Sequence, residues 1–285
     1  MNQFKAYIEL TKPRILQLVL VTTTIGFFLG GQGIHSFTIL FLTLLGAGLT
    51  CAGAAALNHY LERDVDALMA RTKNRPLPKG IISPSNALSF GVILILSGVI
   101  ILAVYVNLLT SFLSLLTSFL YILVYTPMKR LSWLNTTIGA IPGALPPMGG
   151  WTAATNHLDP GAWVLFMILF LWQHPHFYAI AWMFKEDYSN AGFKMLPCVD
   201  KDGKATFQQI MTTSLLLIPV SLTPYYFKMS GLIYFFGALI SGIALLWISN
   251  TFRKSKSIKD ARHLLHASVI YLPVVLFLII LDVSF

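Results

Sequence analysis

Long apolar runs separated by short polar segments make up most of the chain from Ile15 onward. Each run is about twenty residues long, which is the length that a helix needs to cross the roughly 30 Å hydrocarbon core of a bilayer. The pattern predicts an all-α, polytopic membrane protein with nine transmembrane helices in a single domain, residues 1–285. The predicted spans are 15–33, 36–57, 87–106, 108–126, 134–154, 161–183, 207–227, 230–250 and 266–284.

The fifth predicted span differs from the others because it is rich in proline and glycine. It contains Pro142, Pro146 and Pro147 together with several glycines. Proline removes a helical hydrogen bond, and glycine lowers helix propensity. We therefore expect this span to be bent or interrupted, which a membrane tolerates where neighbouring helices satisfy the freed backbone groups.

Composition and charge narrow the class of protein further. Hydrophobic residues make up 56% of the chain and charged residues only 11%, which excludes an ordinary soluble domain. The net charge of +9 comes from bases scattered through loops between spans, a pattern that argues against nucleic-acid binding. The two cysteines, Cys51 and Cys198, do not form a disulfide framework.

The positions of the basic residues predict an orientation. All of the 20 Lys and Arg residues except Lys228 lie in segments that share a side with the N-terminus. Cytoplasmic loops carry an excess of Lys and Arg, so the N-terminus is expected to be cytoplasmic. The first apolar run lacks a cleavage site, and we interpret it as an uncleaved span in a bacterial plasma membrane.

The densest cluster of charge follows the second span. Asn58, Glu62 and Asp66 recur every four residues, which places them on one face of a helix as it leaves the membrane. Carboxylate and amide oxygens suit Mg²⁺, which takes its other ligands from water and phosphate. Arg71 and Arg75 follow, and guanidinium groups match the geometry of phosphate oxygens. This loop therefore predicts a magnesium–diphosphate site.

A second polar cluster lies at the end of the sixth span. Lys185, Glu186 and Asp187 mark the exit from the membrane, and His174 and His176 lie about two to three turns inside it. Histidine at that depth usually lines a cavity, where it can bind a metal or haem iron or transfer a proton. Membrane histidines also form simple hydrogen bonds between helices. The residues alone leave both interpretations open.

The remaining charges allow more than one interpretation. Lys129 and Arg130, between the fourth and fifth spans, either reach the phosphate site or serve only as topology charges. The two long loops, about 58–86 and 184–206, are expected to carry the chemistry. A secondary transporter is a different interpretation, because a broken helix and membrane-embedded histidines are typical of that class.

Several stretches together resemble the UbiA superfamily of intramembrane prenyltransferases, and the resemblance covers nearly the whole chain. Asn58-x-x-x-Glu62-x-x-x-Asp66 followed by Arg71-Thr-x-x-Arg75-Pro is similar to the superfamily's first signature, Asn-x-x-x-Asp-x-x-x-Asp. The other matching stretches are Tyr125-Thr-x-x-Lys129-Arg130, the Pro/Gly-rich run 141–150 and Trp172-Gln-x-Pro-His-Phe177. The last of these is similar to the branch that farnesylates haem.

This resemblance implies a bundle of nine helices whose active site faces the cytoplasm. It implies transfer of the farnesyl group of farnesyl diphosphate to a vinyl group of haem B, giving haem O and diphosphate for terminal oxidases. A haem A synthase or an oxidase-assembly protein is the implied downstream partner, and the lipid bilayer is the surroundings.

The resemblance also implies roles for individual residues. The implied Mg²⁺ ligands are Asn58, Glu62, Asp66 and Asp187. The implied diphosphate-binding residues are Arg71, Arg75, Lys129 and Lys185. His176 is expected to contact haem as an iron ligand or a base, with His174 as the second candidate.

Two departures from the superfamily pattern matter. Glu62 stands where the wider superfamily has Asp, and Lys185-Glu186-Asp187 replaces the second Asp-x-x-x-Asp motif of the quinone-pathway enzymes. A UbiA-type enzyme with an aromatic acceptor is therefore the alternative within the superfamily. The missing second motif and the His174-Pro-His176 stretch favour the haem branch.

Overall fold

The computed structural model describes residues 2–284, and most of them are helical. Thirteen α-helices and one π-helix occur within this range. In chain order they are α1 Gln3–Leu10, α2 Pro13–Gly30, α3 Phe37–Asp66, α4 Pro84–Tyr105, α5 Leu108–Phe119, a π-helix Leu120–Tyr125, α6 Thr126–Leu131, α7 Asn135–Thr155, α8 Pro160–Met183, α9 Lys185–Asn190, α10 Leu196–Val199, α11 Lys204–Tyr226, α12 Leu232–Ser255 and α13 Ile258–Leu281.

The predicted number of membrane-length helices is confirmed within residues 2–284. The helices α5 and α6 join through the π-helix into one rod, and this rod makes nine long units with α2, α3, α4, α7, α8, α11, α12 and α13. Eight of the nine are both long and apolar enough to cross a membrane. The exception is α7, whose prolines and glycines dilute its apolar character. The chain is a multi-pass membrane protein.

The helices extend beyond the predicted spans at the polar ends. Helix α3 continues to Asp66, whereas the apolar run ends at 57, and α13 begins at Ile258 rather than near 266. Helix α1 was not predicted. An apolar run shows which residues lie in the hydrocarbon layer, but it does not show where backbone hydrogen bonding ends. A helix that continues beyond the membrane is therefore longer than its apolar run. As a consequence, the acidic motif lies on a rigid helix.

Helix α7 is continuous from Asn135 to Thr155, so of the two expected outcomes, a bend or an interruption, the interruption does not occur. A side chain of α8 packs closely against the backbone of this helix. The Gln173 side chain of α8 donates a hydrogen bond to the Ala140 carbonyl at 3.1 Å. A Cβ atom on Gly143 would lie 2.0 Å from the Gln173 Oε1 atom. The glycine therefore makes room for a side chain that supports the neighbouring backbone.

Glycines allow α3 and α4 to cross with their backbones in contact. A Cβ on Gly53 would lie 2.5 Å from the Gly91 carbonyl oxygen, and one on Gly98 would lie 2.5 Å from the Gly46 carbonyl oxygen. Small residues at such crossings are the usual means of packing helices in a membrane, where lipid gives no hydrophobic drive for association. This crossing sets the position of α3.

Helix α8 is the most deeply buried of the candidate spans in the described chain. It packs against α7, α11 and α13. The Trp172 indole N–H donates to the Ser268 carbonyl of α13 at 2.7 Å. Polar side chains on α8 therefore point into the bundle rather than into lipid.

The two long loops meet at one end of the bundle. Val65 and Met69, at the end of α3, form a buried cluster with Ala181 of α8 and with Phe193 and Met195 of the loop after α9. Because successive long helices alternate in direction, the ends of α3, α6, α8 and α12 share this side, which we call the site side. The residues around Asp66 and those after α8 are therefore held as one unit.

Substitution of Gly53 tests the α3–α4 crossing. Gly53→Ala should lower the free energy of unfolding by about 1–3 kcal/mol, because the added methyl group meets the α4 backbone. Gly48→Ala is the matched control, since its nearest neighbour would be 3.5 Å away. Thermal unfolding in detergent should show no loss for Gly48→Ala, and an equal loss in both variants would contradict the proposed contact.

Candidate active site

Asn58, Glu62 and Asp66 lie on one face of α3, because the helix is unbroken through the motif. All three are buried although they lie near the end of the helix. The Glu62 side chain is 7% exposed and that of Asp66 is 1% exposed. A buried carboxylate is costly unless it is paired and hydrogen-bonded. Glu62 and Asp66 therefore each require a partner of opposite charge.

Each buried carboxylate forms an ion pair with a base from another segment. Lys129 Nζ of α6 lies 2.7 Å from Glu62 Oε1. Arg75 Nη1 donates to both oxygens of Asp66, at 2.8 Å and 2.7 Å. Both bases were predicted as diphosphate ligands, and the structure brings them to the predicted acids.

The π-helix sets the position of the third member of the motif. The Asn58 side-chain nitrogen donates to Thr126 Oγ1 at 3.0 Å, and Thr126 Oγ1 itself donates to the Tyr121 carbonyl at 2.8 Å. That carbonyl belongs to the wider turn of residues Leu120–Tyr125. Local π-helical turns recur at functional sites because they re-aim side chains. Here the turn brings Tyr121, Thr126 and Lys129 to the face of α3.

Lys12 is a member of this cluster that the sequence did not single out. Its ammonium donates to Asn58 Oδ1, and to the Tyr121 hydroxyl at 3.2 Å. Burial lowers the pKa of Lys12 from 10.5 to about 7, while the charge of Glu62 acts in the opposite direction. Lys12 lies one residue before α2 and far from the motif in sequence. In sequence, Lys12 looks like any basic residue at the predicted cytoplasmic end of a span, so no local pattern could have identified it as part of the cluster.

His59 is a second residue that the sequence reasoning missed. It is 2% exposed and next to Asn58 on α3. Neither of its ring nitrogens has a hydrogen-bond partner among the described residues. An unpaired buried polar group costs about 1–3 kcal/mol, and such groups are rare in folded proteins. The signal in the sequence that could have identified His59 is its position as a polar residue beside the motif in a largely apolar helix.

The second loop contributes through Tyr188 rather than through its acids. Arg71 is exposed, donates to the Tyr188 hydroxyl at 3.1 Å, and has its guanidinium 5.3 Å from the centre of the Phe184 ring. Lys185 instead lies over the Trp182 ring at 5.6 Å. Asp187 is half-buried, with no ion pair among the described residues. The geometry therefore links Arg71 to the second loop and gives Lys185 and Asp187 no contact with the buried pairs.

An aromatic wall stands next to the buried ion pair of Lys129. The Lys129 ammonium lies 4.7 Å from the centre of the Tyr125 ring and 5.7 Å from that of Phe193. Tyr121 and Tyr125 contact each other with ring centres 5.6 Å apart. Aromatic faces attract cations by about 0.5–2 kcal/mol, depending on desolvation. The same faces suit a short-lived carbocation.

The two histidines of α8 differ in how their ring nitrogens are used. His174 is buried, and both of its nitrogens are occupied, Nδ1 by the Phe170 carbonyl at 2.8 Å and Nε2 by Thr137 Oγ1 at 3.2 Å. His176 uses Nδ1 for Ser268 Oγ at 2.9 Å and stacks on Trp172 with ring centres 4.9 Å apart. No partner is found for His176 Nε2 within residues 2–284. His176 is therefore the one of the two with a ring nitrogen free for a ligand.

The residues on α3 suit a magnesium ion that takes only part of its ligands from the protein. No group of three or more His, Cys, Asp or Glu side chains clusters in the described part of the chain. Magnesium usually takes one or two carboxylates and completes its shell with water and phosphate. Glu62, Asp66 and the Asn58 amide supply that partial donor set, with three bases nearby for phosphate. The site therefore fits Mg²⁺ bound together with an anionic substrate.

Breaking one buried pair tests whether the charges depend on each other. Lys129→Met should lower the free energy of unfolding by about 3–5 kcal/mol, because it leaves Glu62 buried without a partner. The double variant Glu62→Gln with Lys129→Met should recover most of that loss, since neither charge remains.

The pair Arg63–Asp64, in which the Asp64 side chain is 84% exposed and Nε lies 3.6 Å from Oδ1, provides the control. Arg63→Gln should change the free energy of unfolding by less than about 1 kcal/mol. Denaturant titration of all the variants in detergent measures the set. Additive losses for Glu62→Gln and Lys129→Met would contradict the pairing.

Comparison with known families identifies the family of the chain. The model of the UbiA prenyltransferase family matches residues 19–270. The protoheme IX farnesyltransferase of Solibacter usitatus is 47% identical over 97% of this chain and 98% of its own. That of Koribacter versatilis is 44% identical over 97% of this chain and 92% of its own.

Solved structures share the fold. The chain is similar to a digeranylgeranylglyceryl phosphate synthase, with a TM-score of 0.84 at 19% identity over 99% of both chains. It is also similar to a UbiA homologue from Archaeoglobus fulgidus bound to DMAPP and Mg²⁺, with a TM-score of 0.73 at 16% identity over 96% of this chain and 98% of the other. These structural neighbours establish the architecture, and the sequence relatives establish the lineage. The chain belongs to the UbiA prenyltransferase family, among relatives that are protoheme IX farnesyltransferases.

Proposed function

We propose that this protein transfers the farnesyl group of farnesyl diphosphate to a vinyl group of haem B, with addition of water, and releases haem O and diphosphate. The observation that carries the proposal is the set of buried acid–base pairs on α3, in a chain whose full-length relatives are protoheme IX farnesyltransferases. Family membership argues against the transporter interpretation. An aromatic acceptor remains the alternative that the assay below separates.

Asn58, Glu62 and Asp66 would hold Mg²⁺ at the end of α3, and Asp187 of the second loop is the further predicted ligand. When bound, the ion supplies Lewis-acid neutralisation of the diphosphate, which helps it to leave. Arg75 and Lys129 already lie against the carboxylates, and Lys12 lies against Asn58. Charge stabilisation of this kind contributes several kcal/mol, on the order of 3–4 for one well-placed donor.

Diphosphate departure generates positive charge on the farnesyl group. The bond between C1 and the diphosphate oxygen breaks, and its electron pair stays with the diphosphate. The Tyr125 ring lies beside Lys129 and contacts the Tyr121 ring, and the faces of both rings would stabilise the allylic cation. Exclusion of water from the apolar bundle would delay quenching of this cation.

The haem vinyl group then provides the electrons for the new carbon–carbon bond. Its terminal carbon bonds to farnesyl C1, which leaves a cation on the adjacent vinyl carbon. Water adds there and loses a proton, and this completes the hydroxyfarnesylethyl substituent. His176, with Nε2 free and Nδ1 fixed by Ser268, is the residue that we assign to haem, as iron ligand or base. His174 has both nitrogens occupied, and we assign it to helix packing.

Arg71 and Lys185 complete the proposed diphosphate-binding set at the rim of the site. Arg71 is exposed and reaches the second loop through Tyr188, so it is positioned to close over a bound substrate. Lys185 requires a side-chain rotation away from Trp182 to take part. We propose that Arg71 acts in substrate capture and that Lys185 contributes less.

The setting of the enzyme follows from the distribution of bases. We propose that residues 1–285 form a single domain in a bacterial plasma membrane, with the N-terminus and the site side facing the cytoplasm. Farnesyl diphosphate would arrive from the cytoplasm and haem B through the bilayer. The product would pass to a haem A synthase or an oxidase-assembly protein.

Activity of the purified protein tests the proposal directly. With haem B, farnesyl diphosphate and Mg²⁺, chromatography of the extracted haem should show a later-eluting, farnesyl-bearing product. Asp66→Asn should reduce the rate by about 10²–10³-fold, because it removes a buried charge from the metal and phosphate site. Asp64→Asn, at a side chain 84% exposed, should retain the rate.

The same assay has an outcome that overturns the proposal. Folded protein that prenylates 4-hydroxybenzoate but leaves haem B unchanged would identify the aromatic-acceptor enzyme. Equal rates for Asp66→Asn and the unmodified protein would remove Asp66 from the site.

The assignment of the histidines makes a separate prediction. His176→Ala should change the absorption spectrum of bound haem and weaken haem binding roughly tenfold, with the KM for farnesyl diphosphate unchanged, because only the haem contact is lost. His174→Ala is the comparison, and should lower the thermal stability while leaving the haem spectrum unaltered. A haem spectrum that changes only in His174→Ala would reverse the assignment.

A further inference from the structure

A basic cavity of about 390 Å³ lies on the site side between α11 and α12. Three of its lining residues are cationic, namely Lys204 at the start of α11, Arg253 in the last turn of α12 and Lys256 just after α12. Gln208 and Thr212 add polar groups, and no acidic residue lines it. The cavity is separate from the buried pairs of α3, since none of its lining residues contacts Glu62 or Asp66.

The three cations have no acidic partner within residues 2–284. Arg253 donates to the Asn250 side-chain oxygen at 2.8 Å, and Lys256 donates to the Asp202 carbonyl at 2.8 Å. None of the carboxylates in the adjoining segments forms an ion pair with these bases: Asp200 accepts from Thr206, Asp260 accepts from Ser257, and Asp202 offers Lys256 only its backbone carbonyl. Three positive charges therefore share one concave site without a direct ion pair to a described carboxylate.

The face of α11 that lines the cavity changes from charged to apolar along the helix, and the apolar part continues beyond the cavity. Lys204, Gln208 and Met211 follow one face of α11, and Leu215, one turn further, is 56% exposed. Charge lies at the polar end of the helix and apolar surface lies below it. A free inorganic anion would use only the upper part, whereas a phospholipid would use both.

The cavity is also connected to α8. Phe207, which lines it, packs on Trp182 with ring centres 4.8 Å apart. The Trp182 indole N–H donates to the Lys256 carbonyl at 3.2 Å. Occupation of the cavity would therefore brace the site-side end of the helix that carries His174 and His176.

We propose that this cavity binds the phosphate headgroup of an anionic phospholipid, with Lys204, Arg253 and Lys256 as the phosphate ligands and the α11 surface around Met211 and Leu215 as the seat of an acyl chain. Basic pockets between transmembrane helices on the cytoplasmic side suit such headgroups. Binding there should raise the thermal stability of the protein, because a ligand that binds only the folded state stabilises it.

Native mass spectrometry of the full chain in detergent tests the site, with phosphatidylglycerol as the probe and phosphatidylcholine as the neutral comparison. The triple variant Lys204→Gln, Arg253→Gln, Lys256→Gln should bind phosphatidylglycerol roughly a hundredfold more weakly, since each base near an anionic headgroup is worth about a factor of five. The triple variant Lys254→Gln, Lys259→Gln, Arg262→Gln is the matched control. It removes the same charge from the same side of the bundle but lies outside the cavity lining.

The control variant should bind phosphatidylglycerol within about twofold of the unmodified protein, and the cavity variant should retain haem turnover in lipid-free detergent, which shows that it is folded. A rise in melting temperature with phosphatidylglycerol should occur in the control variant and be absent in the cavity variant. Equal weakening in both variants, or none in the cavity variant, would overturn the proposal. Binding of inorganic phosphate as tight as that of phosphatidylglycerol would do so too, because it would assign the cavity to a free anion.

Discussion

The two carboxylates buried at the end of α3 constrain the structure around them. Glu62 and Asp66 cannot remain ionised in an apolar bundle without partners, and the desolvation cost of each is several kcal/mol. Arg75 meets this requirement from the loop directly after α3, and Lys129 meets it from α6, 67 residues after Glu62. The course of the chain at this end of the bundle is thus coupled to the placement of two charges.

Several structural features follow from that placement. The π-helix turns Lys129 and Thr126 toward α3, and glycines at the α3–α4 crossing hold α3 in place. The Lys194 backbone N–H donates to the Lys129 carbonyl at 2.6 Å, so the second loop is tied to the same segment. Under the proposed function, binding of Mg²⁺ and diphosphate would exchange partners, with carboxylates turning to the metal and bases to the phosphate. Without a ligand, each of the two buried carboxylates is balanced by its own base.

The charged residues and the histidines lie in two different regions of the bundle. Helices α2 to α7 surround the charged cluster, whereas α8 carries two histidines, of which His176 contacts α13 and His174 contacts α7. His59 belongs to the first region and lies beside the α3 motif. Its two ring nitrogens have no hydrogen-bond partner among the described residues, which lowers the stability of the folded state. The basic cavity between α11 and α12 adds a lipid-facing element that contacts the end of α8 through Trp182. In the proposed arrangement, a lipid of the bilayer binds to this cavity as a ligand.

The sequence by itself determined the class of protein, the nine long helices, the α3 motif and the family. It could do so because hydrocarbon thickness sets the length of apolar runs and helical periodicity places every fourth residue on one face. It also proposed Lys129 and Arg75 for the site, but not which acid each would meet. Only the tertiary structure decided those pairings, the inclusion of Lys12, the continuity of α7 and the different hydrogen-bond partners of His174 and His176. These depend on contacts between residues far apart in the chain, and local pattern carries no information about which distant groups will share a buried site.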